Sequence, residues 1–288
     1  MILSKKTKYS PQKIITYCNY FLLVQIFFAI IQIIAGEQIA NFSKIPLFAI
    51  DAVSGTFFIK SDATLSMFSL LVVVTAFSLT TTAKLKLASV LISGTVISLT
   101  NSKASHGLAI IIIPAILFYS IFLQGRFALG KKTLVLMLAA IALALLAPTL
   151  IDMTNELFDV FQDAYYSRYK HEEASRFAPI GEAIHSDIYW LGKGLLTYYN
   201  PLNKNWDYYS GFSLVYSFYL DCGLIGLLLI LYFIASFTFE NIKNNFYRFA
   251  YLSCLICFST FSLILTDLAL LFSLSFFYFI HKKESHTL

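Results

Sequence analysis

The chain has 288 residues, of which 58% are hydrophobic and only 13% charged, and its mean hydropathy is +0.72. A soluble domain carries about a quarter charged residues, so composition excludes an ordinary soluble fold. It points to an all-α integral membrane protein, because an isolated span must satisfy its own backbone hydrogen bonds. The net charge of +5 is no nucleic-acid signature; what matters is where along the chain the basic groups fall. Cys18, Cys222, Cys254 and Cys257 all lie in apolar runs. They read as packing residues, with no disulfide framework and too few ligands for a zinc site.

Met1 to Lys13 carries four lysines and leads into an apolar run from Ile14 to Gly36, long enough to cross a bilayer at roughly 20 residues per span. The run is too long for a signal-peptide core and lacks a small-residue cleavage pattern, which predicts a retained first span. Glu37 to Asp62 is a polar connection with an apolar centre, Ile45 to Ala52. Further spans are predicted at about Ala63–Leu79, Leu85–Thr100, Gly107–Leu123 and Thr133–Ile151. The turn Asn101-Ser102-Lys103 closes the third of the five spans.

Residues 152–210 then form the one long polar island, with both tryptophans (Trp190, Trp206), two of the five histidines (His171, His185) and Arg168, Lys170, Arg176, Lys193 and Lys204. Two amphipathic helices are predicted within it. Leu157, Phe158, Phe161 and Tyr165 recur at helical spacing in the first. The second begins near Pro179, with Ile180, Ile184, Ile188 and Leu191 on one side and Glu182, His185 and Tyr189 on the other. Gly192-Lys193-Gly194 ends it. Beyond the island, Phe212–Phe239 is a long apolar run interrupted around Asp221, and Phe249–Ile280 reads as two short helices meeting at Thr266-Asp267. The predicted organisation is therefore about eight transmembrane helices: five in residues 1–151, a large loop with short amphipathic helices at 152–210, and three in 211–288.

With eight spans and the amino terminus in the cytoplasm, the inner segments hold Lys5, Lys6, Lys8, Lys13, Lys84, Lys86, Arg126, Lys131, Lys132, Lys243, Arg248, Lys282 and Lys283, and the short outer ones only Lys44, Lys60 and Lys103. That asymmetry follows the positive-inside rule. It predicts cytoplasmic termini and an extracytoplasmic loop. No ATP reaches that side, so any reaction there uses a donor that is already activated.

Four features in this order resemble the O-antigen polymerase/O-antigen ligase family of glycan-assembly enzymes. They are Gly55-Thr56-Phe57 with Ser61-Asp62-Ala63; Leu99-Thr100-Asn101-Ser102-Lys103; Ser175-Arg176 followed by Ala183-Ile184 and Gly192-Lys193-Gly194-Leu195; and Gly211-Phe212-Ser213 through Asp221-Cys222-Gly223-Leu224-Ile225-Gly226. Lys103 stands where the family commonly has arginine, and family members are usually longer. The ligase branch tends to carry a histidine just ahead of the re-entry helix, where this chain reads Tyr209-Ser210-Gly211-Phe212. The resemblance therefore leans to the polymerase branch.

What the resemblance implies is glycosyl transfer at the outer face of a bacterial inner membrane, without metal or cofactor. The donor is a glycan on a polyprenyl diphosphate and the acceptor the sugar end of another lipid-linked unit. A chain-length regulator and a flippase are the implied partners besides membrane lipid; nucleic acid is not one. A hydroxyl attacks the anomeric carbon and lipid diphosphate leaves, so fixed cations near the leaving group lower the barrier. Arg176 leads the candidates, since its planar fork grips phosphate oxygens; Lys103, Arg168 and Lys193 are further substrate-binding cations. His185 is the candidate base, oriented by Glu182, with Asp187 as the alternative. Each has a plainer reading too: Lys103 snorkelling to an interface, Arg168 and Lys170 as a solvated face near anionic lipid, His185 as a surface histidine. Rival functions are ligase-type transfer, a flippase or transporter using the same cations without bond cleavage, and a non-catalytic member of an assembly complex.

Overall fold

The computed structural model describes residues 10–35, 38, 53, 55–56, 62–100, 102–123, 189–192, 194, 197–200, 205–208, 214–261 and 274–281. They are predominantly helical. The helices are α1 (Pro11–Ile34), α2 (Asp62–Ser78), α3 (Ala83–Leu99), α4 (Lys103–Phe118, continued by a wide turn over Tyr119–Leu123), α5 (Leu214–Asn241), α6 (Asn245–Phe261) and α7 (274–281). Three apolar helical stretches are long enough to cross a membrane, Pro11–Ile34, Ser105–Leu123 and Phe218–Asn241, and Ala63–Ser78 is a shorter apolar helix. The predicted span at 133–151, the amphipathic helix at 157–165 and the turn at Thr266-Asp267 lie outside the described residues.

Local sequence sets the helix limits. α1 begins with Pro11, whose missing N–H costs nothing in a first turn, and Ser10 Oγ accepts from the Lys13 amide at 3.4 Å. Thr82 caps α3 in the same way through the Leu85 amide. At the other extreme of α5, Arg248 donates through Nη2 to the Phe239 carbonyl at 2.9 Å and through Nε to Ile242. A cation there also complements the helix dipole. A short antiparallel hairpin, β1 (Thr197–Asn200) and β2 (Asn205–Tyr208), pairs Thr197 with Tyr208 and Asn200 with Asn205. It was not anticipated, although Thr-Tyr-Tyr and Trp-Asp-Tyr flanking Pro201 and Asn203 are a strand–turn–strand composition.

The chain forms two compact units, one of Met1–Ser120, Ser236–Phe258 and Ile264–Leu288, the other of Ile121–Ala235 and Ser259–Leu263. In the first unit α2 is the central helix, with Leu65, Met67, Leu70, Leu71, Val72, Val73 and Val74 all fully buried. A helix apolar all round belongs inside. Phe68 of α2 meets Phe21 of α1 edge-on at 5.4 Å and stacks on Phe277 of α7 at 5.7 Å. Two hydroxyl pairs lie inside this apolar packing: Thr75 Oγ1 with the Tyr251 hydroxyl of α6, and Thr238 Oγ1 with the Tyr278 hydroxyl at 2.6 Å.

Successive helices of this unit alternate in direction, as their end contacts show. Where α2 begins, Ser66 meets Thr100 just past the end of α3. Where α2 finishes, Asn19 of α1 bonds Ser89 near the start of α3 at 3.0 Å, and Ser78 lies 3.3 Å from His281 Nε2. Tyr119, after α4, stacks on Phe246 at 4.0 Å and accepts from Asn244. Among the described residues, Lys13, Lys84, Lys86, Lys243 and Arg248 belong to the end where α2 finishes, and Lys103 opens α4 at the other.

Candidate functional site

Among the described residues two polar clusters stand out, one in each unit. In the first unit polar groups gather where α2 begins. Gln32 Nε2 donates to the Gly55 carbonyl and Gln32 Oε1 accepts from the Gly55 amide, both at 2.8 Å. Gln25 Oε1 accepts from the Thr56 amide at 2.7 Å, and its Nε2 donates to Thr56 Oγ1 at 2.8 Å. The turn needs glycine at 55: φ is +62°, and a Cβ there would stand 2.3 Å from Gln25 Oε1 and 3.2 Å from the Leu65 side chain.

One residue beyond Leu65, Ser66 Oγ lies 2.5 Å from Thr100 Oγ1. Ser102 stands at the N-cap of α4, but its hydroxyl accepts from Ser105 Oγ at 2.6 Å and caps no backbone amide. Lys103 is the first residue of α4. It does not close the preceding span as expected: the helix starts four residues earlier than the apolar run at Gly107 suggests, because Ser102 breaks the backbone ahead of it. His106 falls in the first turn, its amide donating to the Ser102 carbonyl. Gly55 and Thr56 of the first feature and Thr100 of the second thus lie at one end of one helical unit.

In the second unit Gly192 of the third feature comes against Asp221 of the fourth. α5 is broken at Gly223, whose φ of 73° and ψ of −172° leave the helical region. The amides after the break turn to another segment: Leu224 N donates to the Tyr189 carbonyl at 2.7 Å and Ile225 N to the Trp190 carbonyl at 3.4 Å. The Tyr189 amide donates to the Tyr219 hydroxyl at 3.3 Å, and the two rings stack at 6.0 Å over buried Leu220. Residues 189–192 are therefore a bent, non-helical strap and not the end of the predicted amphipathic helix. Their carbonyls serve α5 instead of their own segment. A Cβ on Gly192 would fall 1.8 Å from the Asp221 carbonyl oxygen, and one on Gly223 2.4 Å from that of Trp190. Cys222, beside the break, is exposed and does not pack as expected, whereas Cys18 and Cys254 are buried.

Arg168, Arg176, Glu182, His185, Asp187 and Lys193 lie outside the described residues, and Lys103 is placed by its backbone. Among the described residues no three histidine, cysteine, aspartate or glutamate side chains gather. The residues that sequence reasoning missed are Gln25, Gln32 and the carbonyls of Tyr189 and Trp190. Two glutamines seven apart on one face of an apolar span were a signal for the first pair; no composition cue marks the carbonyls. Comparison with protein-family models, with curated proteins and with solved structures finds no match.

Proposed function

We propose that this is a multi-pass glycosyltransferase of a bacterial inner membrane that polymerises lipid-linked oligosaccharide units at the outer face. Its about eight spans would leave the loop 152–210 outside and both termini in the cytoplasm. The observation that carries the proposal is the joint at Gly223, where Tyr189 and Trp190 of the polar loop supply hydrogen-bond acceptors to a broken apolar helix. Non-helical backbone at membrane depth is tolerated where it is buried in protein or lines a wet cavity. A loop tied into such a break is held against the membrane surface, where a lipid-borne donor arrives. The skew of basic residues towards the end where α2 finishes supports the orientation.

The acceptor hydroxyl oxygen bonds to the anomeric carbon as the carbon–oxygen bond to diphosphate breaks. Lipid diphosphate takes the electron pair, and His185 or Asp187 takes the hydroxyl proton. Arg176, with Lys103, Arg168 and Lys193, supplies positive charge to the leaving group. Purified protein mixed with polyprenyl-diphosphate-linked repeat units should yield a ladder of products on a gel, and Arg176→Ala should abolish it while single units remain.

The broken helix also favours a second reading. Discontinuous helices are a recurrent feature of transporter binding sites. In liposomes loaded with the lipid-linked unit, transbilayer movement without any ladder would select the flippase. Ladder formation without movement selects the polymerase.

A further inference from the structure

Gln25 and Gln32 lie on one face of α1, Gln25 well inside the apolar helix and Gln32 two residues from its end. Gln25 is nine residues from Ile34, or about 13 Å along the axis at 1.5 Å per residue. At the same level Phe27, Phe28, Ile30 and Ile31 are exposed, and so are Ile33 and Ile34 nearer the helix end. A collar of exposed apolar side chains marks a surface made for hydrocarbon. The Gly55–Thr56 turn therefore sits at the depth of lipid chains, not above them.

Backbone N–H and C=O groups at such a depth must be bonded. Here the Gly55 amide, the Gly55 carbonyl and the Thr56 amide each find a glutamine side chain at 2.7–2.8 Å. Gln25 is fully buried, and the glycine leaves the space its Oε1 fills. A glutamine inside a span is costly unless it has work of this kind. A Cβ on Gly55 would stand 3.2 Å from the Leu65 side chain; Ser66 bonds Thr100; and Thr100 is three residues before Lys103.

We propose that the Gly55–Thr56 turn, between α1 and α2, re-enters the membrane, and that Gln25 and Gln32 are positioning residues that seat this turn against the end of the bundle at which Lys103 opens α4. Their contribution to turnover rests on the polymerase reading; the seat itself does not. The glutamines touch no reacting atom. They hold a peptide that packs on the start of α2 and, through Ser66 and Thr100, fix the start of α4.

The test uses the full chain in liposomes, carrying Thr56→Cys with Cys222→Ser and Cys257→Ser. A thiol in hydrocarbon is neither ionised nor reached by a membrane-impermeant maleimide, so labelling is expected to be slow, and at least tenfold faster when Gln25→Leu or Gln32→Leu is added. Labelling as fast as that of a surface thiol with both glutamines intact overturns the re-entry, and so does a rate unmoved by either substitution. In the ladder assay Gln25→Leu should lower turnover about tenfold with the KM for donor within twofold. Gln25→Glu, whose protonated carboxyl offers one acceptor and one donor, should regain turnover as the pH is lowered, which wild type should not. A wild-type rate from Gln25→Leu overturns the positioning role. If wild type itself makes no ladder, the polymerase reading fails, and the labelling rates alone decide the seat.

Discussion

The Leu224 amide donates to the Tyr189 carbonyl at 2.7 Å, across 35 residues of sequence. Within an unbroken helix that amide would serve the carbonyl four residues earlier. The exchange is possible only because the backbone leaves the helical region at Gly223, and because Gly192 lets the strap lie against the Asp221 carbonyl. A local irregularity in an apolar helix is thereby tied to a distant polar segment.

Both glycines should therefore resist substitution. Gly223→Ala places a Cβ 2.4 Å from the Trp190 carbonyl oxygen at a positive φ, and Gly192→Ala one at 1.8 Å from that of Asp221. Each should cost at least about 2 kcal/mol, read as a lower thermal midpoint in detergent. Gly94→Ala and Gly107→Ala, with nothing within 4 Å of the added carbon, should be neutral or raise the midpoint through helix propensity. Equal effects at all four positions would refute the close contact between strap and helix.

Inside the first unit, Tyr251→Phe removes the hydroxyl that meets Thr75. Thr75 Oγ1 keeps the Leu71 carbonyl at 2.6 Å, so no buried donor is stranded. The cost should be about 0.5–1.5 kcal/mol, the range for single hydrogen bonds between membrane helices. Tyr251→Ala, which empties a fully buried site, should cost about 3–5 kcal/mol. A double-mutant cycle with Thr75→Val checks the first figure: a coupling near zero would mean the two hydroxyls do not interact.

The helices were legible to the extent that each is one apolar run with its own cap. α1, α2 and α3 fall within a few residues of Ile14–Gly36, Ala63–Leu79 and Leu85–Thr100 because Ser10-Pro11 and Thr82 act locally. Features that depend on a distant partner were not. Gly223 reads like many small residues in membrane helices until Tyr189 and Trp190 are seen to fill its break. Tyr189 and Leu191 match a helical stripe, yet their segment bonds to α5 instead of coiling. Gln25 and Gln32 gain meaning only with Gly55 and Thr56 beside them. Of the candidate site, Lys103 is placed at the opening of α4; the roles of Arg176 and His185 rest on the resemblance.

The cation proposals separate by geometry of the charge. If a diphosphate leaves against Lys103 and Arg176, Lys103→Ala and Arg176→Ala should each lower the rate of ladder formation about a hundredfold, the scale for removing one group that stabilises transition-state charge. Lys103→Arg should retain activity, because a fork holds phosphate at least as well as a point charge, while Arg176→Lys should lose most of it. Rates for Lys103→Ala at wild-type level would return Lys103 to its plainer role as an interfacial lysine.

Acid should loosen the end where α2 finishes. His281 follows the apolar run that ends at Ile280; it is buried, with Ser78 Oγ 3.3 Å from Nε2 and the Tyr251 ring edge-on at 5.7 Å. Burial pushes its pKa down from 6.5 to about 4, because the charged ring would lose its hydration there. Unfolded, the same histidine takes up a proton near 6.5. Between those values the unfolded chain binds the extra proton, so the contribution is fully present above pH 6.5 and is lost as pH falls towards 4. The whole change is roughly 3 kcal/mol. Thermal midpoints at pH 7.5, 5.5 and 4.5 should fall in that order for wild type, and His281→Gln should flatten the drop. A slope unchanged in His281→Gln would assign the acid sensitivity to another group.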